Sequence, residues 1–113
     1  MYKVGLAGIL VLVVAVLFWF ASPVVDTAIS ANNQGLEYNN KGEYDKAIVV
    51  LTKAIELDPK LALAYNNRGW AYIELKQYEK GIADCTKAIE LNPELALAYG
   101  NRGRAYKIGR AHV

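Results

Sequence analysis

The sequence is short of the residues that build most active sites. One cysteine, Cys85, in 113 residues leaves no internal disulfide framework. One histidine, His112, excludes multi-histidine metal and base constellations. Neither sign of charge dominates: 13 Lys and Arg stand against 11 Asp and Glu, a formal net charge of +2. That balance excludes a disordered polyelectrolyte and gives no electrostatic footprint for nucleic acid. No Gly-rich phosphate loop is present. The length allows at most one small domain. Mean hydropathy is nevertheless positive, +0.11, in a chain that is 21% charged. The apolar residues must therefore be concentrated somewhere.

They are concentrated at the N-terminus. Residues 4–21 read VGLAGILVLVVAVLFWFA, without a charge or a strongly polar side chain. A helix of that length rises about 27 Å, close to a bilayer core. Tyr2 and Trp19 stand at its two ends, where amphipathic aromatics favour the headgroup level. Lys3 precedes the run, Asp26 follows it, and the next cation is Lys41. Segment 1–22 is therefore expected to be a single-pass transmembrane anchor through residues 4–21. Its N-terminus is cytoplasmic and everything after Ser22 lies on the non-cytoplasmic side, periplasmic or extracellular. A cleaved signal peptide is the rival reading. Its nearest tolerable cleavage pattern, Ala28-Ile29-Ser30, lies well past the apolar run. Leu6-Ala7-Gly8 is followed by Ile9 rather than Cys, which excludes lipoprotein processing.

Beyond Pro23 the composition changes and a tandem repeat emerges. Lys53-Ala54-Ile55-Glu56-Leu57-Asp58-Pro59 returns as Lys87-Ala88-Ile89-Glu90-Leu91-Asn92-Pro93. Leu61-Ala62-Leu63-Ala64-Tyr65 returns as Leu95-Ala96-Leu97-Ala98-Tyr99, and Asn67-Arg68-Gly69 as Asn101-Arg102-Gly103. Tyr44 and Tyr78 keep the same offset, as do Tyr38, Tyr72 and Tyr106. A single constant period means stacked supersecondary units, none able to bury its apolar face alone. Each unit reads as a helix pair. Leu61, Tyr65, Gly69 and Tyr72 share one helical stripe; Tyr78, Ile82, Cys85 and Ile89 share the next. Lys41-Gly42-Glu43 and Lys76-Gln77 are the turns between partners. Asp58 and Asn92 are expected to be N-caps, with Pro59 and Pro93 at the first helical position, and Ser22-Pro23 to make the same start.

These residues resemble the tetratricopeptide repeat (TPR) family. The first unit supplies Gly35, Tyr38, Tyr44, Ala47, Ala54 and Pro59; the second supplies Gly69, Tyr72, Tyr78, Gly81, Ala88 and Pro93. Gly81 departs from the usual Ala and is expected to weaken its helix by up to about 1 kcal/mol. The resemblance implies an α-solenoid of antiparallel helix pairs, about two and a half units long; with the transmembrane helix expected from the apolar run before it, the chain is expected to be all-α. The repeat region is placed at 23–107, with units at about 28–61 and 62–95 and a partial one at 96–107. The third unit supplies Gly103 and Tyr106 and then loses register. Residues 108–113, Ile-Gly-Arg-Ala-His-Val, look like a translated sequencing adapter and are expected to be a non-native tail. The incomplete third repeat is expected to permit self-association.

No catalytic constellation is present, and an enzyme is not expected. Cys85 lies on an apolar stripe, as a structural thiol does. Glu37, Glu56, Glu74 and Glu90 hold polar helical positions and read as solvated faces. No cofactor, metal or small-molecule substrate is implied. Asn33, Asn67 and Asn101 recur at the repeat period within the first helices, with Asn32 and Asn66 beside two of them. Asn is a mediocre helix former, so its repetition asks for a reason. In the resembled family the first helices line a concave groove. An amide there matches the donors and acceptors of an extended peptide backbone. The competing explanations are duplication alone, or a bond to the neighbouring helix. Leu63, Leu97, Trp70 and Ile73 would add apolar contact, with Trp70 as the anchor.

Some family members grip the C-terminal carboxylate of heat-shock chaperones with two Lys, two Asn and an Arg. The matching positions here read Asn32, Leu36, Asn67, Leu97 and Asn101, of which only Asn67 fits, so that clamp is absent. The expected function is a scaffold that binds a partner protein or extended peptide in the groove at a membrane. The alternatives are a substrate-docking arm of a larger enzyme and a secreted or periplasmic assembly factor.

Overall fold

The computed structural model describes residues 23–111, and side chains over 27–110. The expected anchor at 4–21 lies outside the described residues. Among those described, no helix is long and apolar enough to cross a membrane.

Five helices follow one another with no strand between them among the described residues. They are α1 (Pro23–Asn40), α2 (Tyr44–Leu57), α3 (Ala62–Glu74), α4 (Tyr78–Leu91) and α5 (Ala96–Ala111). Helices α1 and α2 form the first pair and α3 and α4 the second, while α5 opens a third. The turns within pairs reverse the chain through one left-handed residue each. Gly42 has φ +77, and its repeat equivalent Lys76 has φ +63. Glycine adopts that conformation freely, whereas a residue with a Cβ is strained there by about 1–2 kcal/mol.

The turns between pairs differ from the expected capping. Asp58 is the C-cap of α2, not the N-cap of α3, and Asn92 ends α4 in the same way. Pro59 and Pro93 hold the residue before them extended, which stops the preceding helix. Asp58 has φ −140, and Asn92 has φ −142. Their side chains then brace the turn: Asp58 Oδ1 accepts from the Lys60 N–H and Asn92 Oδ1 from the Glu94 N–H, both at 3.1 Å. Helix α3 begins only at Ala62, behind Leu61, without a side-chain cap.

Small residues let the helices pack closely. Ala47, Leu51, Ala54, Ala64 and Ala71 form one buried cluster, with Tyr38, Tyr44 and Ile48 against it. Ile73, Cys85 and Ala105 form a second, with Tyr78 and Ile82 beside it. A Cβ on Gly35 would collide with the Leu51 side chain. One on Gly69 would meet Cys85 Sγ at 2.9 Å. Gly81 costs helix propensity, but a Cβ there would lie 3.0 Å from the Gly69 carbonyl oxygen and against Ile73. Its lack of a side chain is what lets α3 and α4 approach.

Candidate binding groove

The first helices of the pairs, α1, α3 and α5, lie side by side, and a cleft of about 420 Å³ opens across them. Leu36 of α1 lines it, with Asn66, Asn67 and Trp70 of α3 and Leu97, Asn101 and Arg104 of α5. The repeat explains the convergence, because the same helical face returns in each unit. Leu97 is 64% exposed, an apolar side chain offered to solvent inside a groove. Trp70 is half-buried, and its indole Nε1–H donates to Glu74 Oε1 at 3.2 Å. The same carboxylate oxygen pairs with Arg104 at 2.7 Å. Trp70, Glu74 and Arg104 thus form a fixed polar and aromatic rim rather than three free side chains.

The asparagines make a ladder of their own. Asn67 Nδ2 donates to Asn32 Oδ1 at 2.9 Å, tying α3 to α1. Asn101 Nδ2 donates to Asn66 Oδ1 at 3.0 Å, tying α5 to α3 by the same geometry one unit on. Each donor reaches the residue 35 positions before it. A mid-helix Asn therefore has a structural reason here: it fixes the spacing of adjacent first helices. Asn39 adds a bond that no repeat announces. Its buried side chain donates from Nδ2 to the Asn67 carbonyl at 2.8 Å, and its repeat counterpart is the apolar Ile73.

The other expected groove residues separate. Asn33 is exposed on α1, in a surface depression with Ser30, Gln34 and Glu37, away from the cleft. Leu63 is exposed on α3 but does not line the cleft. Ile73 is not a groove residue. It is 3% exposed and packs inward on Cys85, Ala105 and Gly81, because its position on α3 faces α4.

Sequence reasoning also missed an ion pair behind the groove. Arg68 of α3 donates from Nε and Nη2 to the two carboxylate oxygens of Asp84 on α4, at 2.7 and 2.8 Å. Its Nη1 reaches Thr52 Oγ1 on α2 at 3.2 Å, so one guanidinium joins three helices. The bond to Asp84 raises the Arg68 pKa further above its ordinary value, against the opposing effect of burial. The available signal was Asp84 itself, an acid beside Cys85 on an otherwise apolar stripe.

Cys85 is fully buried. Burial, helped by the Asp84 charge, pushes its thiol from 9.0 up to about 11. Because the folded state favours the neutral thiol, its contribution to stability is present below pH 9 and fades as pH rises from about 9 to about 11. A thiol-reactive dye at pH 8 should therefore label the native protein only as fast as it opens, and label it fully in denaturant. Immediate labelling of native protein would contradict this environment. Among the described residues no group of three His, Cys, Asp or Glu side chains is placed to hold a metal ion.

The family model for the tetratricopeptide repeat matches residues 62–95, and a second TPR repeat model matches residues 35–75. The chain is similar to the second TPR of Spaghetti (RPAP3) bound to the HSP90 peptide SRMEEVD. The two are 34% identical with a TM-score of 0.73, over 78% of this chain and 82% of that one. It is similar to the second TPR domain of human RPAP3 in complex with the HSP70 peptide SGPTIEEVD. That match has 35% identity and a TM-score of 0.69, over 74% and 71% of the two chains. A third relative is the TPR2B domain of yeast Sti1 in its pHsp70 complex, at 33% identity and a TM-score of 0.72, over 75% and 68%. No curated protein matches the chain.

Proposed function

The chain belongs to the tetratricopeptide repeat family, and from that premise we propose that it is a scaffold holding an extended segment of a partner protein across α1, α3 and α5. The cleft carries the proposal. It joins apolar contact from Leu36, Trp70 and Leu97 to the edges of Asn66, Asn67 and Asn101 and the charge of Arg104. An extended peptide needs that combination: pockets for side chains and polar groups for its backbone. Binding rather than catalysis is the role of these residues. The uncharged run at 4–21 supports display of the groove at a membrane, on the non-cytoplasmic side.

The ligand differs in kind from those of the relatives, whose peptides both end in the acidic run EEVD. At the clamp positions this chain has Asn32, Leu36, Asn67, Leu97 and Asn101, none of them cationic. Two of those asparagines donate to other asparagines. Among the described residues that line the cleft the cation is Arg104, and it is already paired with Glu74. An internal segment of a partner, with no terminal charge, is the better fit.

The test is selection of displayed peptides on the immobilised full chain, with each selected peptide then measured as free acid and as C-terminal amide. Equal affinities within about twofold are expected. A loss of tenfold or more on amidation would reveal a carboxylate site and overturn this reading of specificity.

A further inference from the structure

The face shared by α1, α3 and α5 carries two rows of side chains at the repeat period. Leu36, Trp70 and Arg104 form one row, and all three line the cleft. Ile29, Leu63 and Leu97 form the other, seven residues earlier on each helix. Seven residues are two helical turns, so the rows share one face and lie about 10 Å apart along the helices. Leu97 enters the cleft itself. Ile29 and Leu63 continue its row at the margin, 45% and 43% exposed. Between the rows stand the amides of Asn67 on α3 and Asn101 on α5.

The interval along each row is the packing distance of neighbouring first helices, about 8–10 Å between axes. The bonds from Asn67 to Asn32 and from Asn101 to Asn66 lock that interval at both steps. A ligand that meets every unit alike must repeat at the same interval. A β-strand returns the same face every second residue, about 6.6–6.8 Å, and falls out of step by the second helix. A polyproline II helix returns the same face every third residue, about 9.3 Å, and stays in step across all three. Its three edges also suit the two rows: one edge for each row and the third for solvent.

Hydrogen bonding and charge agree with this match. A polyproline II segment makes no internal hydrogen bonds, so its carbonyls need donors. Asn66 accepts from Asn101, and among the described residues nothing takes the two N–H groups of its own amide. Arg104 is neutralised by Glu74 at 2.7 Å. A charged side chain pressed against this lining would therefore lose water without gaining a partner.

We propose that the segment held in the groove is an uncharged polyproline II stretch, with proline or another apolar residue at two of every three positions and a polar residue at the third, facing solvent. This rests on the groove reading above and names its ligand. Proline presets the conformation, which lowers the cost of ordering the segment, and adds no N–H to be satisfied.

The probe is a peptide of three tandem Pro-Leu-Gln triplets, acetylated and amidated, titrated onto the full chain in detergent micelles. The control has the same composition, with Leu and Gln alternating and the prolines gathered at one end. The triplet peptide should bind at least about tenfold more tightly than the control. Leu63→Ala should weaken it severalfold at an unchanged melting temperature, because Leu63 belongs to the second row and is exposed. Equal binding of the control, or no binding of the triplet peptide to the wild-type chain, would overturn the proposal. Peptides from unbiased selection separate its failure from that of the groove. If they lose affinity on Trp70→Ala but lack a period of three, the groove stands and this ligand class falls. If Trp70→Ala and Leu97→Ala both leave them unaffected, the groove reading falls with it.

Discussion

Asp84→Ala should lower the melting temperature by roughly 10–20 °C, since each kcal/mol shifts a domain of this size by about 4–8 °C. The side chains of Arg68 and Asp84 are only 18% and 10% exposed, and their two hydrogen bonds are short. Removing the acid leaves the guanidinium among Tyr65, Tyr72 and Thr52 without a countercharge. Breaking a buried pair from one side costs about 3–5 kcal/mol; Arg68 keeps some solvent, which places the loss at the lower end. That is a large part of the roughly 5–15 kcal/mol that holds any small domain. Arg68→Met with Asp84→Leu should recover most of the loss, because the penalty comes from the stranded charge and not from missing attraction. Arg102→Ala, at the equivalent place one unit on, should change stability by no more than about 0.5 kcal/mol, since no acid is stranded there. Thermal melts of the four proteins measure the set. A melt of Asp84→Ala within a few degrees of wild type would show that the fork contributes little.

Trp70→Ala should weaken binding of a selected peptide by roughly 20-fold or more, the scale of a central aromatic hot spot. Trp70 stands between Leu36 on one side of the cleft and Leu97 and Arg104 on the other. Its hydrogen bond to Glu74 fixes the indole, so little freedom is lost on binding. Truncation also releases Glu74, so the melt of each variant accompanies its affinity. Leu97→Ala separates binding from folding more cleanly. Leu97 is 64% exposed, and its loss should reduce affinity severalfold at unchanged stability. Affinity unchanged in both variants would remove the cleft from the function.

The repeat period makes the helix order and the close-packing sites Gly35, Gly69 and Ala54 legible in the sequence alone. Periodicity works there because every unit must solve the same packing problem. It says less about which way a side chain turns. Ile73 has the composition of a groove residue, yet its angle around α3 points it at Gly81. Asn67 and Asn101 are visible as a spaced pair, but their acceptors lie 35 residues back, one step off the period. Asn39 gives way to the apolar Ile73 one unit on, so no repeated Asn draws attention to it. Asp58 and Asn92 have the chemistry of N-caps. The proline after each decides the matter by holding them extended and delaying the next helix to Ala62 and Ala96.

The most direct measurement of the central claim is photo-cross-linking of a selected peptide to the full chain, with the adducts located by mass spectrometry. A peptide lying across α1, α3 and α5 should attach at Leu36, at Asn66 to Trp70, and at Leu97 to Arg104, and free peptide should compete the adducts away. Competed adducts confined to α2 and α4, or to the outer surface around Asn33, would contradict the account.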